Sequence, residues 1–214
     1  MIITLPSHSL KSTSFLMFHR SFCYFLFLIF MLFSKSISSQ VISDFTTITS
    51  NTGCGSLVVE FEDLSTGNPN TWLWDFGNGT SSTLKNPVSI YSNPGDYTVK
   101  LSVTNGLTQD VHTQTDYIKV YKNPLASISN NSSIFCVPEE VLFVDETQFT
   151  NNITSWLWDF GDGGSSVLQN PNYEYSISGL FTVSLSVVDN KGCESLIIFD
   201  NLINAKEVPV ANFS

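Results

Sequence analysis

The sequence contains an eight-residue motif twice with a single difference, Asn78 against Asp162, and this repeat limits what the chain can fold into. The first copy occupies residues 72–79 and the second residues 156–163, at an offset of 84 residues. Four later features recur at the same offset: Asn86-Pro87 and Asn170-Pro171, Tyr91 and Tyr175, Gly95 and Gly179, and the run Val99, Leu101, Val103 with Val183, Leu185, Val187. Self-similarity over this length indicates two copies of one domain rather than a single large core.

The length of 214 residues allows one or two domains, and the repeat favours two of roughly 80 residues each. We expect residues 1–39 to be a signal peptide, 40–122 and 123–205 to be the two domains, and 206–214 to begin a third repeat. The third repeat is expected because Val-Pro-Val-Ala-Asn-Phe at 208–213 resembles Asn-Pro-Leu-Ala-Ser-Ile at 123–128.

The N-terminal segment has the order of a secretory signal peptide. Basic residues precede an apolar run at 22–33 and small residues follow it: Lys11, His19 and Arg20 before, Ser36, Ser38 and Ser39 after. The apolar run is short for a membrane span. We therefore predict a secreted or cell-surface protein, with an uncleaved anchor as the alternative.

Acidic residues dominate the chain after the signal peptide. That part contains six basic and 19 acidic residues, a net charge of −13. Such a surface is repelled by nucleic acid phosphates and by anionic lipids. We therefore expect neither nucleic acid nor a membrane, beyond the signal peptide, as a partner.

The clearest strand lies at residues 97–104, where apolar and polar side chains alternate, and its counterpart lies at 181–187. Turn signals such as Gly77-Asn78-Gly79 and Asn105-Gly106 separate the short strands. No segment after residue 40 keeps a helical apolar period. This pattern predicts an all-β chain of two tandem β-sandwiches, each made of two antiparallel sheets.

Four cysteines occur, and Cys23 falls in the predicted signal peptide. Cys136 and Cys193 lie near the two ends of the second repeat, so we predict that they form a disulfide in an oxidising compartment. Cys54 holds in the first repeat the place of Cys136, but Gln109 stands near the place of Cys193. We therefore expect Cys54 to be a free thiol or to bridge to another chain.

Trp74 and Trp158 are candidates for a binding platform or for the core. Each shares a strand face with a second tryptophan, Trp72 or Trp156, because side chains alternate along a strand with a period of two. An indole buries enough area to dominate the core of a small sandwich. We therefore predict that this face points inward.

Asp75, Asp159 and Asp162 are the candidate catalytic carboxylates. Glycosidases need two carboxyl groups at a set separation, but the first repeat has Asn78 in the place of Asp162, and an amide cannot act as acid or base. A carboxylate in a Gly-rich turn usually accepts backbone N–H bonds, so we predict structural roles. His112 has no catalytic partner nearby in the sequence and is predicted to be a surface residue. We therefore do not expect an enzyme.

The repeated motifs carry a family resemblance. The order Trp-Asp-Phe-Gly-x-Gly, Asn-Pro, Tyr and Gly-x-Tyr/Phe-Thr-Val-x-Leu-x-Val resembles the PKD (polycystic kidney disease) domain over about residues 41–122 and 123–205. The resemblance implies an immunoglobulin-like fold that occurs mostly outside cells. In bacteria such domains sit in tandem beside proteases, polysaccharide-degrading enzymes and adhesins. The family motif corresponds to Trp74, Asp75, Phe76, Gly77 and Gly79, and to Trp158, Asp159, Phe160, Gly161, Asp162 and Gly163.

The resemblance also raises the question of calcium. Some calcium-binding PKD domains of bacterial collagenases carry Asp two residues before the motif aspartate, where this chain has Leu73 and Leu157. Calcium needs several converging oxygen ligands. We therefore predict no metal or other cofactor, with a calcium site on Asp159 or Asp162 as the alternative.

Together these features predict a non-catalytic adhesion, recognition or spacer segment of a larger extracellular protein. Its partner would be an extracellular protein or a polysaccharide. Contact would use the outer sheet faces, where Leu73 and Leu157 are expected to point to solvent among hydroxyl side chains. The alternative is an accessory region of a secreted protease or polysaccharidase whose catalytic domain lies outside this chain.

Overall fold

Strands, turns and irregular segments account for the residues that the computed structural model describes, which are 39–148 and 151–211. None of these residues forms a helix long and apolar enough to cross a membrane. The predicted signal peptide lies outside the described residues except for Ser39, and so do the last three residues of the predicted third repeat. The residues from Gln40 onward belong to one compact unit.

The strands of the described residues fall into two groups of eight, which we call module 1 and module 2. Module 1 consists of β1 (Phe45–Thr47), β2 (Thr52–Cys54), β3 (Leu57–Asp63), β4 (Thr71–Asp75), β5 (Ser81–Ser82), β6 (Val88–Tyr91), β7 (Gly95–Thr104) and β8 (Gln109–Tyr121). Module 2 consists of β9 (Ile128–Asn130), β10 (Ile134–Cys136), β11 (Glu139–Asp145), β12 (Ile153–Asp159), β13 (Ser165–Ser166), β14 (Asn172–Tyr175), β15 (Gly179–Asp189) and β16 (Glu194–Lys206).

In each module a three-stranded sheet packs on a five-stranded sheet. The strand orders are β1-β3-β6 and β2-β8-β7-β4-β5 in module 1, and β9-β11-β14 and β10-β16-β15-β12-β13 in module 2. Neighbouring strands run antiparallel, except that the short strands β2 and β10 pair in parallel with β8 and β16. The prediction of an all-β chain with two tandem sandwiches is confirmed, and the two modules share one topology.

The alternating runs of the sequence form the long strands β7 and β15. Val99, Leu101 and Val103 of β7 are fully buried, and so are their counterparts in β15. The residues between them point away from the core, which is the pattern of a sheet with one solvated face. The period of two therefore places one row of each strand in the interior.

Each module has its own hydrophobic core, built around three aromatic rings. In module 1 the ring centroid of Phe61 lies 5.4 Å from that of Trp74 and 5.2 Å from that of Phe76. The corresponding distances in module 2 are 5.6 and 5.2 Å, among Phe143, Trp158 and Phe160. Aromatic pairs at such distances add about 0.5–1.5 kcal/mol each beyond their burial.

A bulge interrupts the ladder at equivalent places in the two modules. The register of β7 and β8 shifts beside Asp116, which has a φ of 50°. The N–H of Asp116 donates to Thr98 Oγ1 at 3.3 Å. In module 2 Asn201 has a φ of 53°, and its N–H donates to Thr182 Oγ1 at 3.2 Å. Asp and Asn tolerate this left-handed conformation better than most residues do.

Leu185→Ala tests the inward face of β15, with Leu157→Ala on β12 as its matched control. Leu185 has 0% exposure and Leu157 has 55%. Truncation of the buried leucine leaves a cavity, so we expect the free energy of unfolding to fall by about 2–5 kcal/mol. The control should change it by less than about 0.5 kcal/mol. Urea unfolding followed by tryptophan fluorescence measures both values, and equal losses would contradict this orientation of the sheet.

Candidate functional site

The second tryptophan of each repeated motif is completely buried. Trp74 on β4 and Trp158 on β12 have 0% exposure. Their indole N–H groups donate to the carbonyl oxygens of Leu84 at 2.9 Å and Leu168 at 3.0 Å. A buried indole whose single donor is satisfied serves the core. Neither ring is therefore placed to act as a binding platform.

The first tryptophan of each motif is only partly buried, although it packs against the same core. Trp72 donates its indole N–H to Asp63 Oδ2 at 2.8 Å, and Trp156 donates to Asp145 Oδ2 at 2.7 Å. The sequence pattern did not single out these two aspartates. A signal was present, because each follows the repeated core phenylalanine by two residues.

The motif aspartates Asp75 and Asp159 close the turn that follows each strand. Asp75 Oδ1 accepts the N–H of Gly77 at 3.0 Å, and Asp159 Oδ1 accepts the N–H of Gly161 at 2.9 Å. Gly161 has a φ of 84°, and a Cβ atom there would overlap the carbonyl oxygen of Thr182. The turn therefore requires glycine for both its conformation and its close packing.

Asp162 and Asn78 hold equivalent places, and each side-chain oxygen accepts the N–H of the residue two positions later, which for Asn78 is Thr80 at 3.0 Å. Their other partners differ. Asp162 Oδ1 accepts the N–H of Gly164 at 2.9 Å, and its two oxygens accept the hydroxyl of Tyr173 at 2.8 and 3.0 Å. Burial, together with the hydrogen bond and charge of Asp162, raises the pKa of Tyr173 to about 12. Asn78 instead donates its amide to the carbonyl of Ile90 at 3.0 Å.

The candidate carboxylates thus accept N–H groups of their own turns. Among the described residues, no group of three or more His, Cys, Asp or Glu side chains could hold a metal ion. Ca²⁺ takes roughly six to eight converging oxygen ligands, and a calcium site on Asp159 or Asp162 stays an untested alternative. His112 lies on β8 with Nε2 3.9 Å from Asp44 Oδ1 and its ring 5.4 Å from that of Phe45.

A buried tyrosine links the small sheet of each module to the motif. Tyr91 of β6 and Tyr175 of β14 donate their hydroxyls to the carbonyls of Phe76 and Phe160, at 3.2 and 3.0 Å. Burial raises the pKa of both phenols well above the ordinary value. In each module the repeated tyrosine of the small sheet thus bonds to the backbone at the motif turn, which follows a strand of the large sheet.

The predicted disulfide between Cys136 and Cys193 is wrong. Cys193 bonds to Cys54, with their Cα atoms 5.5 Å apart, and Cys136 is an exposed free thiol. Cys136 pairs with Lys206 at the end of β16, whereas Cys193 directly precedes Glu194 at its start. The length of β16 separates the two cysteines by about 40 Å, whereas a disulfide needs Cα atoms within about 7 Å.

Cys54 reaches Cys193 because both lie at the joint between the modules. β2 ends at Cys54 beside Tyr121, the last residue of β8. In module 2 the N–H of Ala126 donates to Ser195 Oγ at 3.4 Å, which places the β15–β16 hairpin beside the first residues of that module. The expectation that Cys54 is free or bridges another chain is therefore also wrong.

Asp189 organises the hairpin that carries Cys193. Its buried carboxylate accepts the N–H groups of Lys191 and Cys193 at 2.8 and 2.9 Å and the side-chain amide of Asn151 at 3.0 Å. Burial acts to raise the pKa of Asp189, but these hydrogen bonds and the Lys191 charge outweigh it and hold the pKa below its ordinary value. Lys191 Nζ lies 5.4 Å from the ring centroid of Tyr121 in module 1, a cation–π contact across the joint.

The outer faces of the two five-stranded sheets differ in polarity. In module 2, Leu157, Ser186 and Leu196 lie side by side across β12, β15 and β16, and Ile198 lies two residues further along β16. We call Leu157, Leu196 and Ile198 the apolar face; their side chains are 55%, 60% and 56% exposed. Module 1 has Thr113 in the place of Ile198.

Comparison with known proteins gives one consistent result. A family model described as "PKD domain" matches residues 43–120 and 121–200. The chain is 38% identical over 84 residues to a "Microbial collagenase" of Vibrio alginolyticus, a match that covers 38% of this chain and 10% of that protein. It is 35% identical over 95 residues to "Collagenase ColA" of Bacillus cereus, covering 44% of this chain and 9% of that protein. The chain thus spans about a tenth of the length of these relatives.

Among solved structures, the chain is similar to the PKD1 domain from the Vibrio cholerae metalloprotease PrtV. The sequence identity is 27% and the TM-score is 0.35, over 39% of this chain and 98% of that one.

Gly161→Ala tests the motif turn, and Gly163→Ala is its control. Both glycines have positive φ, 84° and 98°, but a Cβ at Gly163 would have no heavy atom within 4 Å. The control should therefore cost only the left-handed conformation, about 1–2 kcal/mol of unfolding free energy. Gly161→Ala adds a backbone clash and should cost more than about 3 kcal/mol. Similar losses in chemical denaturation would show that the close approach to Thr182 is not required.

Asp189→Asn tests the carboxylate at the hairpin. Because the folded-state pKa of Asp189 is lowered, its ionisation stabilises the fold above the unfolded pKa of about 3.9, and this contribution is lost as the pH falls through the folded value. We expect the variant to be less stable than the natural chain at pH 7, with a smaller difference at pH 3. Urea unfolding at both pH values measures this, with exposed Asp200→Asn as the control. A difference that does not depend on pH would contradict the assigned role.

Proposed function

Because the chain belongs to the PKD domain family, we propose that its two modules form a non-catalytic extracellular segment of a larger secreted or cell-surface protein. In this proposal the pair holds a fixed geometry and presents a sheet face to an extracellular protein or polysaccharide. The modules act only by presenting this binding surface, and they neither make nor break a bond in the partner.

The observation that carries this proposal is the covalent joint between the modules. Only residues 122–124 separate the end of β8 from the first bridge of module 2, which Leu125 makes with Gln148. The Cys54–Cys193 bridge closes this short connection from the other side, and Lys191 covers the ring of Tyr121 beside it. A short linker and a disulfide at one joint oppose hinge motion, which supports a segment that fixes orientation.

The apolar face supports recognition as a second part of this function. Three exposed aliphatic side chains lie beside Ser184 and Ser186 on the outer face of the five-stranded sheet. Such a surface fits a partner that offers apolar groups with hydroxyls or amides between them, as polypeptides and sugar rings do. Single exposed aliphatic residues are ordinary, whereas here three of them occupy nearby positions on one face.

The contacts of the motif carboxylates support the non-catalytic part of the proposal. The motif carboxylates in the described residues accept N–H groups of their own turns. A general acid and base need a shared substrate position between them. The buried tyrosines have raised pKa values and donate to backbone carbonyls, so they remain neutral structural donors at physiological pH.

A more specific candidate is an accessory segment of a secreted hydrolase. The observation that favours it is the set of relatives, which are described as collagenases of Vibrio alginolyticus and Bacillus cereus. In this candidate the modules hold or recruit a protein substrate for a catalytic domain elsewhere in the same polypeptide. Fibrillar collagen is then the first ligand to test.

The fixed joint predicts a single alignment tensor for both modules. Residual dipolar couplings of the oxidised chain should fit one tensor, because the two sandwiches cannot reorient independently. In the Cys54→Ser/Cys193→Ser variant each module should need its own tensor. Separate tensors in the oxidised chain would refute a fixed joint, and unchanged chemical shifts in the sheets would verify that both modules remain folded.

If the apolar face of module 2 binds the partner, a substitution there should weaken binding, whereas the equivalent substitution in module 1 should not. Leu196→Asp should weaken binding to fibrillar collagen or to an insoluble polysaccharide at least tenfold, because a charge replaces a desolvated contact. Val111→Asp is the control, since Val111 holds the equivalent place in module 1 and is 54% exposed. Co-sedimentation measures both variants. Equal effects, or no binding by the natural chain to any of these ligands, would remove the recognition role.

A further inference from the structure

The free thiol of Cys136 occupies in module 2 the place that Cys54 occupies in module 1. β2 ends with Cys54 paired in parallel with Tyr121, and β10 ends with Cys136 paired in parallel with Lys206. The backbone hydrogen bond that follows is also the same. Gly55 donates its N–H to Tyr121 at 2.8 Å, and the residue after Cys136 donates its N–H to Lys206 at 2.9 Å. The two cysteines therefore share one backbone setting.

The bonding state is the difference between the two positions. Cys54 is joined to the β15–β16 hairpin of the next module, whereas Cys136 is exposed and has no disulfide partner in the described residues. Cys136 lies at the end of module 2 where the chain leaves β16. Module 1 shows directly what a cysteine at this place bonds to.

The residues after β16 repeat the connection between the modules. Pro209, Val210 and Ala211 follow Lys206 with the spacing at which Pro124, Leu125 and Ala126 follow Tyr121. At the first joint, Leu125 makes the first bridge of module 2, and Ala126 donates to Ser195 in the strand just after Cys193. A repeat that begins at Val210 would bring its own hairpin to Cys136 in the same way.

We infer that Cys136 is the attachment point for the hairpin cysteine of a following repeat of this fold, through the same inter-module disulfide that joins Cys54 to Cys193. This inference goes beyond the proposed function, because it assigns a covalent partner to the distal end of module 2. The array would then carry one disulfide at each joint, with the first cysteine at the end of β2 or β10 and the second in the next hairpin.

The bond forms by thiol–disulfide exchange with a disulfide donor of an oxidising compartment. Each thiol loses one proton and one electron, the two sulfur atoms form the S–S bond, and the donor disulfide accepts two electrons and two protons as a dithiol. The exposure of Cys136 gives the donor access to its sulfur. A joint geometry that positions the second thiol then favours the intramolecular bridge over a mixed disulfide.

A three-module chain tests this inference directly. A second copy of residues 125–206 is fused after Pro209. In this added copy, serine replaces the cysteine that corresponds to Cys136. After oxidation in a glutathione buffer, a non-reducing peptide map should join Cys136 to the hairpin cysteine of the added copy. The fraction of Cys136 in this disulfide should not depend on protein concentration, because the bond forms within one chain. The Cys54–Cys193 peptide in the same map verifies that the first joint has formed.

Ile134→Cys in a Cys136→Ser background is the matched control. Ile134 lies on the same side of β10, is 65% exposed and sits two residues further from the joint. The fraction of the Ile134→Cys thiol that becomes linked to the added copy should be at least tenfold lower than the fraction of Cys136 that does. In a second fusion, residues 122–124 replace residues 207–209, so that the added copy follows the same linker that joins module 1 to module 2. This fusion controls for a failure of the first linker to form the joint. If Cys136 stays alkylatable in both fusions, or if the Ile134→Cys thiol links equally well, the inference is overturned.

Discussion

The buried indole of Trp74 and Trp158 is the contact on which each module depends. The ring fills the centre of the core, and its N–H donates to a backbone carbonyl of the loop beyond the turn. A polar group of this kind can be buried only when it has a partner. The loop must therefore return over the core, and the Gly-rich turn between them makes that return feasible.

The duplication of this unit explains how the joint forms. Because only residues 122–124 follow β8 before the first bridge of module 2, the end of β8 meets the start of module 2, where the β15–β16 hairpin also lies. One cysteine on each side of this meeting is enough to tie them. In the chain-entropy model, a bridge that closes a loop of 139 residues stabilises the folded state by about 5 kcal/mol. Asp189 holds the hairpin in shape, so that the second sulfur is presented to the first.

The sequence predicted the strands, the two sandwiches and the burial of the motif, because these follow from local alternation and from the repeat. Val99, Leu101 and Val103 show this most clearly, since a period of two leaves only one face for them. The disulfide could not be predicted in the same way. The spacing of Cys136 and Cys193 says nothing about which end of a sandwich each occupies, and that depends on strand pairing across the sheet.

The role of Asp189 was beyond the sequence, and Asp63 and Asp145 had only one signal, their place two residues after the repeated core phenylalanine. Each carboxylate accepts a side-chain donor from another segment, Trp72, Trp156 or Asn151, and the fold brings that donor close. The apolar face has the same origin. Leu157, Leu196 and Ile198 lie on different strands, and only the register of β12, β15 and β16 makes them neighbours.

The central claim is that two sandwiches of one design are joined by a disulfide between them. A non-reducing peptide map of the chain of residues 40–214, produced without any following repeat and alkylated before digestion, tests this claim most directly. The account predicts one linked pair of peptides containing Cys54 and Cys193, together with an alkylated Cys136. A linked pair containing Cys136 and Cys193 would contradict it, because those residues could meet only if the strand order of module 2 were different.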